Sequence, residues 1–395
     1  MLSDNHPQRL EVSAELRLLA ACCDRPKTAS SKAQVQERLQ TIKDWTAFHS
    51  EAVRHHVEGF AYDRLKDCRD VPADIRQEWR GIESGRVLRN LLQSHMTSKL
   101  HALLNENGVL NIVLKGLPLS EQLYRSQAIR RSGDIDLLIA PENAWKSVQI
   151  LAKEGFRLVE NGTNLTQRQT RCVVRHFKEI TLQNDSNVAV DLHWKMVDFP
   201  DAFSNFDPLS NMRKTGFGNA GEIAVLGEAE QFAYLCVHGA LTDWSRLKWL
   251  ADINALIGDS SERVIIDWYA RAKELGCGPS VLQALGLRDI LWGKPPPAEL
   301  SRTIEEIDEP EFLAFPIERM LTPYRSASSR DAVARIRRQT HVRSVLYGGS
   351  AQAIRGTIAH MRALPDVLAL PLPKTLDWLY YPLRPVLWAI RKVRS

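Results

Sequence analysis

The hydrophobic spacing of this chain changes period twice, and those changes limit what it can fold into. Up to about residue 107, apolar side chains recur three or four apart, as in Val12, Leu16, Leu19 and Cys23, then Trp45 and Phe48, then Leu88, Leu91, Leu92, Met96, Leu100 and Leu103. That is the period of amphipathic helices. Gly108 is the stop signal, and V-L-N-I-V-L from Val109 is a short apolar run ended by Lys115-Gly116. A run of that length between glycines suits a buried strand. A second run, residues 135–139, follows Gly133. Between them, residues 117–125 are predicted as a short helix with Pro118 in its first turn, where a missing N–H costs nothing. A further helix is expected from Pro141 to Gly155, with Trp145, Val148 and Leu151 on one face. Residues 176–182 and 188–194 read as two strands around the turn Asn184-Asp185-Ser186-Asn187. After Pro200 the chain reads as loop, rich in Asn, Gly and Asp. From about Glu228 the helical period returns in Phe232, Leu235, Cys236, Leu247, Leu250, Ile253, Leu256 and Ile257.

At roughly 150 residues per domain, the 395 residues allow two to three domains. Lys and Arg number 52 against 47 Asp and Glu, a formal charge of +5, too small an excess to mark a nucleic-acid binder by itself. The 6 cysteines are too sparse for a disulfide framework, and none forms a C-x-x-C pair, so a reducing cytoplasm is expected. Asp4, Glu11 and Glu15 argue against a secretory signal, and no uncharged apolar run reaches the ~18 residues of a membrane span.

The chemistry is carried by Leu114-Lys115-Gly116 and by Gly133-Asp134-Ile135-Asp136-Leu137-Leu138-Ile139. Strand side chains alternate, so Asp134 and Asp136 share one face while Ile135, Leu137 and Ile139 take the other. Two carboxylates on one face repel unless a cation sits between them. Oxygen ligands at this spacing suit magnesium, commonly held by one or two carboxylates and substrate phosphates, although a lone D-x-D also fits a solvated strand end. In V-A-V-D-L-H, alternation puts Asp191 and His193 opposite Val188, Val190 and Leu192. An acid in such company needs a partner, either a metal or an arginine. At Lys115-Gly116, a strand end before a helix, glycine admits close backbone approach and helix N–H groups favour an anion. The lysine there would meet phosphate, or lie solvated beside a turn glycine.

The elements L-K-G-x-x-L-x-x-x-L-Y from Leu114, R-x-x-D-I-D-L-L-I from Arg131, and V-D-L-H-W from Val190 resemble the uncharacterised nucleotidyltransferase family of the DNA polymerase β-type superfamily. Cys236-Val237-His238-Gly239 and Trp244-x-x-Leu247-Lys248-Trp249-Leu250-x-Asp252-Ile253 are similar to that family's H-G and W-L-x-D-I helix. The resemblance covers roughly residues 12–260, with distinctive motifs in 112–139, 188–194 and 232–257. It implies an α+β fold in which a small mixed β-sheet, the polymerase β-like core, is embedded in mostly helical N- and C-terminal regions. The expected segments are 1–107 (helical), 108–200 (nucleotidyltransferase core), 201–300 (helical, packing on the core) and 301–395 (helical extension with a basic, aromatic tail).

The resemblance further implies Asp134, Asp136 and Asp191 as catalytic carboxylates holding two magnesium (or manganese) ions. Asp191 would also help deprotonate the acceptor. Lys115, Gly116, Arg131 and Gly133 would bind the nucleoside triphosphate donor. Many superfamily members have a Gly-Ser pair after the first strand; Lys115-Gly116-Leu117 lacks the serine, which shifts phosphate binding to the lysine and backbone N–H groups. The same K-G arrangement is similar to that of nucleotidyltransferase toxins, some of which modify the tRNA acceptor end. Relatives are often encoded beside bacterial polysaccharide or peptide-modification genes, so the implied hydroxyl acceptor is a sugar, small molecule, peptide or RNA end.

Other readings stay open. His193 and His238 are candidates for positions just behind the carboxylates, or for structural roles, and Asp252 is either a partner there for an arginine or histidine or an exposed acid. Trp244 and Trp249 among leucines read as core. The run Arg325, Arg330, Arg335, Arg337, Arg338, His341 and Arg343 reads as a solvated helix face. Residues 377–395 mix Trp378, Tyr380, Tyr381 and Trp388 with Arg384, Arg391, Lys392 and Arg394, suited to a peripheral contact with the inner face of a membrane or with protein. Two rival functions are a D-x-D glycosyltransferase, which needs a larger doubly wound domain before the motif, and a non-catalytic nucleotide-binding scaffold.

Overall fold

A computed structural model describes residues 12–25, 27, 29–199, 201–218, 221–322, 329–359 and 362–394. The fold is α+β. Its sheet has five strands: β1 (Asn111–Val113), β2 (Asp134–Ile139), β3 (Arg157–Leu158), β4 (Glu179–Gln183) and β5 (Ala189–His193), in the order β1-β2-β5-β4-β3. The sheet is mixed: β2 and β5 run parallel, and the other neighbours pair antiparallel. Each apolar run predicts its strand because one face is sealed. Ile135, Leu137, Ile180, Leu182, Val190 and Leu192 are all buried. The strand-length run of alternating residues is the signature of that arrangement.

The chain divides into two compact units. The first comprises Met1–Leu92, Leu117–Ser132 and Glu228–Ser350 and is helical among the described residues, with Phe48, Phe60, Phe232, Trp244, Leu250 and Leu285 in its core. The second comprises Gln93–Gly116, Gly133–Gly227 and Ala351–Ser395 and holds the sheet. Among the described residues, the regular elements preceding β1 are all helices, not the doubly wound domain that the glycosyltransferase reading expects there.

Three details differ from the periodicity. The stretch after Pro200, which itself lies outside the described residues, forms a hairpin of β6 (Met212–Gly216) and β7 (Glu222–Leu226). A helix Gln167–His176 precedes β4, opened by a capping box in which Thr166 Oγ1 accepts from the Gln169 amide and Gln169 Oε1 accepts from the Thr166 amide. In the long helix Ala73–Glu106, the side chains of Arg86, Asn90, Gln93, Thr97 and His101 are buried, whereas Leu88 and Leu91 are 70% and 60% exposed. The helix is where its spacing predicts; its buried stripe is apolar at the ends, with Ile75, Trp79, Leu100 and Leu104, and polar in the middle.

Candidate active site

The register of the sheet builds the site. Asp136 on β2 pairs with Asp191 on β5, and Asp191 with Thr181 on β4, so the three side chains form one row on the polar face. Asp134 lies two residues earlier on the same face. In the next row His193 stands beside Glu179. Neighbouring residues on adjacent strands lie about 5 Å apart, close enough for two carboxylates to repel strongly.

The counter-charges come from a lysine and a histidine. Lys115 Nζ donates to Asp136 Oδ1 and lies 3.8 Å from Asp134 Oδ1, so Lys115 supplies part of the positive charge that the D-x-D carboxylates need. Gly116 follows at φ +86°, a backbone conformation that favours glycine. His193 Nε2 lies 3.2 Å from Asp136 Oδ1, and Nδ1 lies 2.9 Å from Glu179 Oε2. Thr181 Oγ1 donates to Asp191 Oδ1 at 2.6 Å.

These contacts set the ionisation. Burial alone would raise the Asp136 pKa, but Lys115 and His193 hold it well below the usual carboxylate range. Burial opposes a charged His193, yet its hydrogen bond to Asp136 and its ion pair with Glu179 raise its pKa. Glu179, also buried, is brought down to about 2 by His193 and Lys178. Asp191 moves the other way: burial and then the charges of Asp136, Asp134 and Glu179 push it up to about 6, against the Thr181 hydrogen bond. The site therefore carries more carboxylate than its own cations compensate, and Asp191 bears the excess.

Such a donor set fits a hard divalent cation. Atoms of Asp136, Asp191 and His193 lie within 4.8 Å of one another, and Asp136 Oδ2 is buried with no hydrogen-bond partner. A buried orphan carboxylate oxygen is costly, and a cation ligated there removes the cost. The rest of the donor set is mainly oxygen, as magnesium and manganese prefer.

The other sequence candidates are placed as follows. Gly133, in the same unit, has no atom within 4 Å of where a Cβ would stand. Arg131 belongs to the helical unit, with Nη1 3.3 Å from Glu58 Oε1. Asp252 lies in that unit's core, where Arg130 Nε and Nη2 donate to it at 2.8 Å and Tyr124 OH donates at 2.9 Å. Of the roles open to Asp252, it fills that of arginine partner. His238 packs edge-on against Trp249, ring centroids 5.5 Å apart. Trp244 is fully buried and donates from Nε1 to Gln283; it lies in a turn at φ +50°, with its ring where a side chain on Gly239 would have to go.

Within the basic run, Arg325 lies outside the described residues, as does the Arg330 side chain, while Arg338 pairs with Glu311 and Glu318, and Arg343 with Asp243. Glu179 and Thr181 join the site without having been candidates. The alternation in E-I-T-L already puts them on one face, but only the β4–β5 register brings that face to Asp191. A second group, Cys172, His176 and Asp377, lies within 4.8 Å, but there Arg175 donates to both Asp377 carboxylate oxygens, at 3.0 and 3.2 Å, and already serves as the cation.

Among comparisons with known proteins, a family model described as an uncharacterised nucleotidyltransferase matches residues 41–293. No curated protein matches the chain significantly.

Proposed function

The chain belongs to the uncharacterised nucleotidyltransferase family, and from that premise we propose that it transfers a nucleotidyl group from a nucleoside triphosphate to a hydroxyl acceptor. The observation that carries this reading is the row in which Asp136 and Asp191 stand side by side on parallel strands, with Asp134 two residues away. Asp134, Asp136 and Asp191 would hold magnesium or manganese, which neutralises charge on the attacking and leaving oxygens of an in-line displacement. The acceptor oxygen bonds to the α-phosphorus, the bond from that phosphorus to the bridging oxygen breaks, and pyrophosphate departs. Asp191, raised by its neighbours to about 6, is the group suited to receive the acceptor proton. Lys115 and Gly116 would bind phosphate, in keeping with reactions that depend mainly on positioning and charge neutralisation. His193 is a positioning residue, fixing Asp136 against Glu179.

The acceptor is a hydroxyl of a sugar, peptide, small molecule or RNA end, as in bacterial polysaccharide or peptide modification. Use of a nucleoside triphosphate fits the cytoplasm. Among the described residues no helix is long and apolar enough to cross a membrane.

Calorimetric titration with each common nucleoside triphosphate in magnesium tests the reading. One nucleotide is expected to bind the native chain and not an Asp134→Asn/Asp136→Asn variant of unchanged circular dichroism. Equal binding by the folded variant would overturn the assignment.

A further inference from the structure

Among the described residues, the C-terminal helix Tyr380–Arg394 is anchored to its unit through Tyr380. Tyr380 is 3% exposed; its hydroxyl donates to the Leu370 carbonyl at 2.7 Å, accepts from the Leu372 amide at 3.0 Å, and lies 3.2 Å from Cys172 Sγ. Just before it, Asp377 is held by Arg175. These contacts fix the rotation of the segment. The opposite side is apolar and open: Pro382, Pro385, Val386 and Ala389 are exposed at three- and four-residue spacing, Trp378 precedes them by four, and Trp388 flanks the stripe. Trp378 is 62% exposed, and Val386 and Trp388 are each 55% exposed. Side chains beyond Ala389 lie outside the described residues, but the sequence after Asp377 contains Arg384, Arg391, Lys392 and Arg394 and no acidic residue.

A short helix that buries its polar anchor against its own protein and turns tryptophan and valine to water has a solvent that suits it better than water. Indole rings favour the boundary between lipid headgroups and acyl chains, and basic residues beside them are drawn to anionic headgroups. We infer that residues 376–394 form a docking surface for an anionic phospholipid bilayer, on which the helix lies parallel to the surface. Charge complementarity selects this occupant, since the sequence after Asp377 carries Arg384, Arg391, Lys392 and Arg394 and no acidic residue, while the described exposed face is apolar. The inference is independent of the transfer chemistry, and nothing in it involves the carboxylate site.

The full chain would be sedimented with vesicles of phosphatidylcholine alone and of phosphatidylcholine mixed with phosphatidylglycerol. Binding about tenfold stronger to the anionic vesicles is expected, falling steeply as salt is raised, with a blue shift of tryptophan emission. A Trp378→Ala/Trp388→Ala variant loses both binding and shift, and Arg384→Glu weakens binding while leaving the apolar face intact. Equal binding to both vesicle types, or binding to neither, would overturn the inference. So would concentration-dependent self-association of the native chain that the tryptophan variant abolishes, because the face would then be covered by a second copy.

Discussion

At Asp252 a fully buried carboxylate meets an arginine and a tyrosine, and both its oxygens are engaged. Asp136 is as deeply buried, yet one of its oxygens is left without a hydrogen bond. On the proposed reading, that difference separates a structural carboxylate from one that takes a ligand, and the sequence does not reveal it, because both acids sit among apolar neighbours. That Asp134 and Asp136 share one strand face is legible from alternation, whereas their grouping with Asp191 in one site comes from the family resemblance. The role of Arg130 is not legible, since its partner lies over a hundred residues away. Replacing Asp252 with Asn leaves the buried Arg130 charge without its counter-ion, for which a loss of about 3–5 kcal/mol is expected, measured by urea unfolding. A loss below about 1 kcal/mol, the range of an exposed pair, would contradict the account of this residue.

Elements follow the sequence where one face is sealed and depart from it where burial is not apolar. The strands of D-I-D-L-L-I and V-A-V-D-L-H announce themselves. The hairpin strand M-R-K-T-G has no alternation to read, and the helix Q-R-Q-T-R-C-V-V-R-H is so polar that its only local signal is the capping box from Thr166 to Gln169. The helix Ala73–Glu106 shows the limit of periodicity, which locates a helix but does not say which stripe is buried. Helical spacing also explains one acid-sensitive feature. On Trp45–Arg54, Glu51 reaches Arg54 three residues on and His55 four on, and these partners bring its pKa down to about 2 against the effect of burial. A carboxylate lowered by folding contributes stability above its unfolded pKa of roughly 4.3 and loses it as pH falls toward the folded value. Glu51→Gln should therefore lower stability at neutral pH and flatten its decline between about pH 4.5 and 2. Thermal unfolding across that range checks this, and a parallel downward shift at every pH would contradict it.

On the scale of the whole molecule, each compact unit is assembled from three separated stretches of chain. Hydrophobic period is a local property, so it yields consecutive segments and cannot show that residues 117–132 join the helical unit while 351–395 return to the sheet unit. The family resemblance agrees with the family match at residues 41–293, within which its motifs lie. The basic and aromatic tail of the sequence lies in the last hundred residues, beyond that match. The central claim is that the carboxylate row on β2 and β5 is a divalent-cation site serving nucleotide transfer. Electron paramagnetic resonance of manganese titrated into the full chain with a bound nucleoside triphosphate tests it most directly. Bound manganese is predicted for the native chain and its loss for a folded Asp136→Asn variant; the same bound manganese in both would contradict the claim.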